Sequence, residues 1–167
     1  MCREAVKIIK TKSAEEALRS LMHQCARAEK SSGDAMRLMA RWGVPSEQRC
    51  GVLERLIAEK FIDDRRFAEA YVREKLNLSG WGVRKIASSL KAKGVSSSIV
   101  EESLSQLDLE SMVGRLEDKI KRKLRTVKYK DNYDLKSKLV RYALSLGYDY
   151  DMVFDAVSQQ VKINDDE

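Results

Sequence analysis

His23 and Cys25 are the first residues whose types could do chemistry, since an imidazole beside a thiol can generate a thiolate nucleophile. Two residues apart on a helix, they point about 200 degrees away from each other and cannot share a cleft. Cys2, Cys25 and Cys50 make an odd count with no CxxC, so neither a disulfide framework nor a zinc site is indicated. The stretch Gly80-Trp81-Gly82-Val83-Arg84-Lys85 holds a fragment of a glycine-rich phosphate loop. It lacks the third glycine of a dinucleotide fingerprint and the GK[ST] of a P-loop, and no strand precedes it. Asp63 and Asp64 could pass for paired carboxylates, but a helix cap explains them. No catalytic residue, metal site, cofactor or small-molecule substrate is predicted, and the chain does not read as an enzyme.

Cations and aromatics offer a different chemistry, that of a binding surface. Formal charge is +6, from 32 Lys plus Arg against 26 Asp plus Glu, enough to associate with nucleic acid or an acidic protein groove. From Lys119 to Lys130 the chain carries Lys121, Arg122, Lys123, Arg125 and Lys128 with no acidic residue among them. Solvation of a helix end, favoured by the macrodipole, competes with contact to a polyanion as the reason for that run. Arg37 and Arg41, then Arg84, Lys85, Lys91 and Lys93, add cations on two earlier helices. Trp42 ends a helix beside a glycine, and Trp81 lies between two glycines at a helix entrance. Both suit packing, and both suit an aromatic anchor on a partner surface, where Trp and Arg are enriched.

The elements that must position these residues are helices, and they repeat. LMARWGV, LKAKGV and LSLGY each halt at a glycine: Gly43, Gly94 and Gly147, separated by 51 and 53 residues. Glycine just past a helix end takes the left-handed cap conformation without steric cost. Aligned on these glycines, Ala35, Ile86 and Leu139 stand eight positions upstream, and Met39, Leu90 and Ala143 four upstream. Leu53, Leu104 and Val157 stand ten downstream. Such offsets put apolar side chains on one helix face before each glycine and one after it. Pro45, Ser96 and Asp149 follow two residues beyond each glycine and suit a helix start.

A single proline and few alternating β-branched stretches argue for an all-α protein of three tandem three-helix repeats, nine helices in all. Ser13 and Glu16 form an S-x-x-E capping box that opens the first helix. Glu29-Lys30-Ser31-Ser32-Gly33 is a polar break, and Asp63 or Asp64 caps the helix that carries Phe67. The expected organisation is an N-terminal arm over 1–12, repeats over 13–60, 61–107 and 108–162, and an acidic tail over 163–167. No apolar run suits a bilayer and the charged N-terminus lacks a secretory core, so a cytoplasmic monomer is expected.

At the second repeat a specific resemblance emerges. Phe61 to Val95, FIDDRRFAEAYVREKLNLSGWGVRKIASSLKAKGV, resembles the signature of the RecX family of recombinase regulators. Ile62, Asp63, Asp64, Arg66, Phe67, Ala68, Gly82, Ile86, Leu90, Lys93, Gly94 and Val95 carry it. In the first repeat, SSGDAMRLMARWGV is similar to that family's R-S-x-x-E-L-x-x-K-L-x-x-K-G motif. Lys30 replaces its arginine and Trp42 its last lysine. The resemblance implies tandem three-helix repeats forming an elongated, curved array. It also implies a non-enzymatic, mainly negative modulator that lies in the groove of the RecA–single-stranded-DNA filament. Filament growth, strand exchange and coprotease activity, and with them recombination and the SOS response, would be restrained. Single-stranded DNA would be met indirectly or weakly. The alternative is a direct DNA-binding protein, since three-helix units resemble helix-turn-helix modules.

Overall fold

The computed structural model describes residues 11–166, with side chains as far as Lys162. The expected arm therefore lies outside the described residues except for Thr11 and Lys12, as do the side chains of the acidic tail. Among the described residues there are nine α-helices and no strand. They are α1 (Ala14–Cys25), α2 (Ser32–Arg41), α3 (Ser46–Ala58), α4 (Asp64–Glu74), α5 (Val83–Ala92), α6 (Ser97–Ser105), α7 (Leu109–Leu124), α8 (Asn132–Ser145) and α9 (Tyr150–Asp166). A π turn, Lys75–Ser79, continues α4. No helix among the described residues is long and apolar enough to cross a membrane.

The repeat read from the glycines is physical. Gly43, Gly94 and Gly147 all adopt positive φ, at 71°, 81° and 90°. Every aligned upstream side chain, from Ala35 and Met39 to Leu139 and Ala143, is buried. The residue after each glycine, Val44, Val95 or Tyr148, turns back into the core as well. Full burial of a leucine-sized side chain contributes roughly 1.5–3 kcal/mol, so these few positions define each three-helix set.

The chain divides into two compact units. The first comprises residues up to Phe67 together with Lys93–Val95. Its core joins Leu18 and Leu21 of α1, Met39 of α2, and Val52 and Leu56 of α3. The Ser13–Glu16 capping box forms as expected, with both reciprocal hydrogen bonds in place. The polar break falls earlier than expected: α2 starts at Ser32 and takes in Gly33, because the buried Ser31 hydroxyl accepts the Asp34 amide as its N-cap.

The second unit comprises Ala68–Ala92 and the chain from Ser96 onward. Leu116 and Ile120 of α7, Leu135 and Leu139 of α8, and Val153 and Val157 of α9 are buried within it. Pro45 and Ser96 do stand at N-cap positions, yet neither side chain makes a capping hydrogen bond. Proline has no side-chain acceptor, and the Ser96 hydroxyl pairs with that of Ser98 instead.

Candidate partner-binding surface

In the first unit, the residues that carry the family signature build a scaffold. Asp63 caps α4, its carboxylate accepting the amides of Arg65 and Arg66 at 3.0 and 3.1 Å. Asp64 reaches instead to the start of α2 and accepts the Ser32 amide at 2.7 Å. Two adjacent carboxylates thus satisfy the orphan donors of two helices. Arg66 donates to Glu29 at 2.6 Å and to the carbonyl of Lys60 at 3.2 Å, closing the end of α3. Lys60 there has a φ of 58°, a left-handed conformation that costs a non-glycine residue.

Lys93 joins the same scaffold. Its carbonyl accepts the Ser31 hydroxyl at 2.7 Å, its ammonium stands 3.4 Å from Asp34, and it lies 5.8 Å from the ring centre of Phe67. Arg37 bonds Asp34 at 2.7 Å from the other side. Burial opposes ionisation of Asp34, but hydrogen bonds from Arg37 and Lys93 outweigh it and hold the carboxyl below its usual range. Arg41 is exposed. Trp42 is half-buried against the core, with the Lys12 ammonium 3.8 Å from its ring centre. His23 is exposed, while burial raises the pKa of the half-buried Cys25 thiol, the opposite of an activated nucleophile.

The second unit gathers cations around grooves. Trp81 is half-buried, with the ammonium groups of Lys85 and Lys75 at 4.6 and 5.4 Å from its ring centre. Trp81, Arg84 and Lys85 line an open groove of about 670 Å3 together with Ser145 and Tyr148. Lys85 donates to the Ser145 carbonyl at 3.1 Å, and the exposed Arg84 stands 4.0 Å from Asp149. Lys91 is exposed farther along α5.

The basic run occupies the end of α7 and the link to α8. Lys119 points inward to the Ser79 carbonyl at 3.2 Å, and Lys121 stands 3.9 Å from Glu117. Arg122 and Arg125 are exposed, and Lys123 lies 5.3 Å from the ring centre of Tyr142. Lys123 and Lys128 line a second open groove, of about 510 Å3, with Lys138, Arg141, Tyr142 and Ser145. Lys138 and Arg141 are absent from the candidates read off the sequence. Their signal was present, for Lys138, Arg141 and Ser145 recur at helical spacing and share one face of α8. Lys138 bonds Asp134 at 2.7 Å and the Lys128 carbonyl at 2.8 Å, which fixes the link. That hydrogen bond is also the leading reason the Asp134 carboxyl titrates below its usual range. The two grooves present positive charge and aromatic walls.

Comparison with known proteins bears on what such a surface serves. Residues 63–104 match the family profile described as RecX, second three-helix domain. A protein named Regulatory protein RecX from Clostridium botulinum (strain Eklund 17B) is 30% identical over 164 residues, covering 95% of this chain and 75% of its own length. The chain belongs to the RecX family. Regulatory protein RecX of Mycolicibacterium vanbaalenii is 28% identical, with 90% of this chain and 85% of the relative covered. The fold agrees with a RecX crystal structure from Lactobacillus salivarius at a TM-score of 0.76 and 18% identity, over 90% of this chain and 97% of that one. A second crystal structure, of regulatory protein RecX, gives 0.80 at 18% identity, over 87% and 73%. RecX membership accounts for the signature residues, which in this chain are spent on joining helices.

Proposed function

We propose that this protein is a non-enzymatic cytoplasmic regulator of RecA that binds the recombinase filament on single-stranded DNA and limits its growth. Strand exchange, coprotease activity and the SOS response would fall with it. The observation that carries the reading is the concentration of exposed cations, Arg122 and Arg125 beside the Lys123 groove, in a chain of the RecX family. A filament wrapped on a polyanion offers a surface that rewards such charge with faster association. Only assembled protomers present that composite surface, so a ligand specific for it shifts the balance between assembly and disassembly.

The test is ATP hydrolysis by RecA on single-stranded DNA with the purified protein added below stoichiometry. Hydrolysis slows on this reading, and unchanged hydrolysis at several-fold excess rejects it. Sequence-specific retardation of a duplex without RecA would favour a direct DNA-binding role instead.

A further inference from the structure

Between α7 and α9 of the second unit runs an open groove of about 340 Å3. Leu109, Val113, Met152 and Ala156 line it with apolar surface, and Glu117 and Asp155 add two carboxylates. Among the described residues no Lys or Arg lines it, in a chain that has 32 of them. The grooves at Trp81 and Tyr142 in the same unit have the opposite sign. Asp155 is exposed and has no ion pair among the described residues. Glu117 meets Lys121 at 3.9 Å, the outer limit of an ion pair. Leu109 is 68% exposed, yet the turn that carries it is fixed, because the Asp108 cap accepts the Ser111 amide at 2.8 Å. Fraying therefore does not account for that exposure.

We propose that this groove docks a cationic amphipathic helix of a protein partner. Leu109, Val113 and Glu117 stand on successive turns of α7, and Met152, Asp155 and Gln159 make a matching row on α9. At 1.5 Å of rise per residue each row is about 12 Å long, roughly two helical turns. A trough of that length takes the apolar side chains of an incoming helix at i, i+3 or i+4, and i+7. An extended segment fits less well, because two helices offer no open edge to pair with its amides. The flexible Met152 side chain can adapt to what it meets. The carboxylates repel nucleic acid and anionic lipid surfaces, and they reward Lys or Arg beside the partner's apolar stripe with faster and more selective association. A neutral apolar molecule would leave both carboxylates unused.

The proposal stands apart from the recombinase reading, and its experiment contains no recombinase, so either can fail while the other survives. The probe is a fluorescein-labelled model helix of leucine, lysine and alanine, with leucines at i, i+3, i+4 and i+7 and lysines flanking them. Its anisotropy is titrated with the full chain over a range of salt. The wild-type chain raises anisotropy, and the affinity falls as salt screens the charges. Asp155→Lys weakens binding about tenfold, since it sets like charges against each other. Leu109→Ala weakens it as well, and both positions are exposed, so the fold is kept. Glu101→Lys, the same change of charge at an exposed position on α6, leaves the affinity unchanged. The proposal is overturned by a wild-type chain that does not bind, or by equal losses in Asp155→Lys and Glu101→Lys. A probe with glutamine in place of lysine that binds as tightly would also overturn it, by making the groove a merely apolar one. Sedimentation that reveals self-association relieved by the probe would overturn it too, assigning the groove to a second copy of the chain.

Discussion

Gly33 lies against Gly94 so closely that a Cβ on Gly33 would stand 2.7 Å from the Gly94 Cα and overlap the Lys93 carbonyl oxygen. In the second unit Gly82 meets Gly147 in the same way, backbone to backbone. A helix start therefore abuts a glycine corner twice in this chain, with no side chain between them.

Gly33→Ala forces that abutment open. Alanine gains about 1 kcal/mol of helix propensity, but overpacking against rigid backbone costs about 1–3 kcal/mol. Urea denaturation should show a less stable protein. Gly51→Ala in α3 meets nothing within 4 Å and should stabilise by about 0.5–1 kcal/mol. If both substitutions raise the midpoint, the close approach at Gly33 carries no constraint.

Lys60→Gly tests the left-handed residue that ends α3. Relief of its backbone cost, about 1–2 kcal/mol, exceeds what is lost by removing an exposed side chain. A higher thermal midpoint is expected, with the Arg66 hydrogen bond to the residue-60 carbonyl retained.

Asp34 links stability to pH. Its folded-state pKa is depressed, so its contribution is present above the unfolded carboxylate value and is lost as pH falls through the folded one. Asp34→Asn removes the partner of both Arg37 and Lys93. The variant should be less stable at neutral pH and should approach the wild type in acid. Parallel stability curves across that range would refute the linkage.

Arg122→Glu/Arg125→Glu addresses the recombinase reading. Both side chains are exposed, so helical content measured by circular dichroism should be unchanged. Association with RecA filaments should weaken, most at low salt where screening is least. Undiminished association would assign these cations to solvation of the α7 end.

Much of the scaffold was legible because it rests on local rules. The Ser13 cap, the three glycine corners and the buried faces before them follow from residue type and helical spacing. The π turn did not, since nothing in Lys75–Ser79 departs from ordinary helix composition. Its carbonyls are taken by Arg115, from Leu76, and by Lys119, from Ser79, both more than thirty residues later on α7. By residue type either Asp63 or Asp64 could cap α4; Asp63 does so, while tertiary placement gives Asp64 the start of α2. The candidate surface divides in the same manner. Arg66 and Lys93 are tied into the scaffold, and Lys138 and Arg141 enter the groove only once α8 is packed beside the end of α7.

The Gly82 amide donates to the Leu146 carbonyl at 2.7 Å, and the Arg84 amide donates to the Gly147 carbonyl at 3.1 Å. Amide protons at the head of a helix ordinarily escape to solvent by fraying, since no carbonyl of their own helix holds them. These two are latched to a segment over sixty residues away, so their deuterium uptake reports the opening of α8 from α5 and not the unravelling of α5.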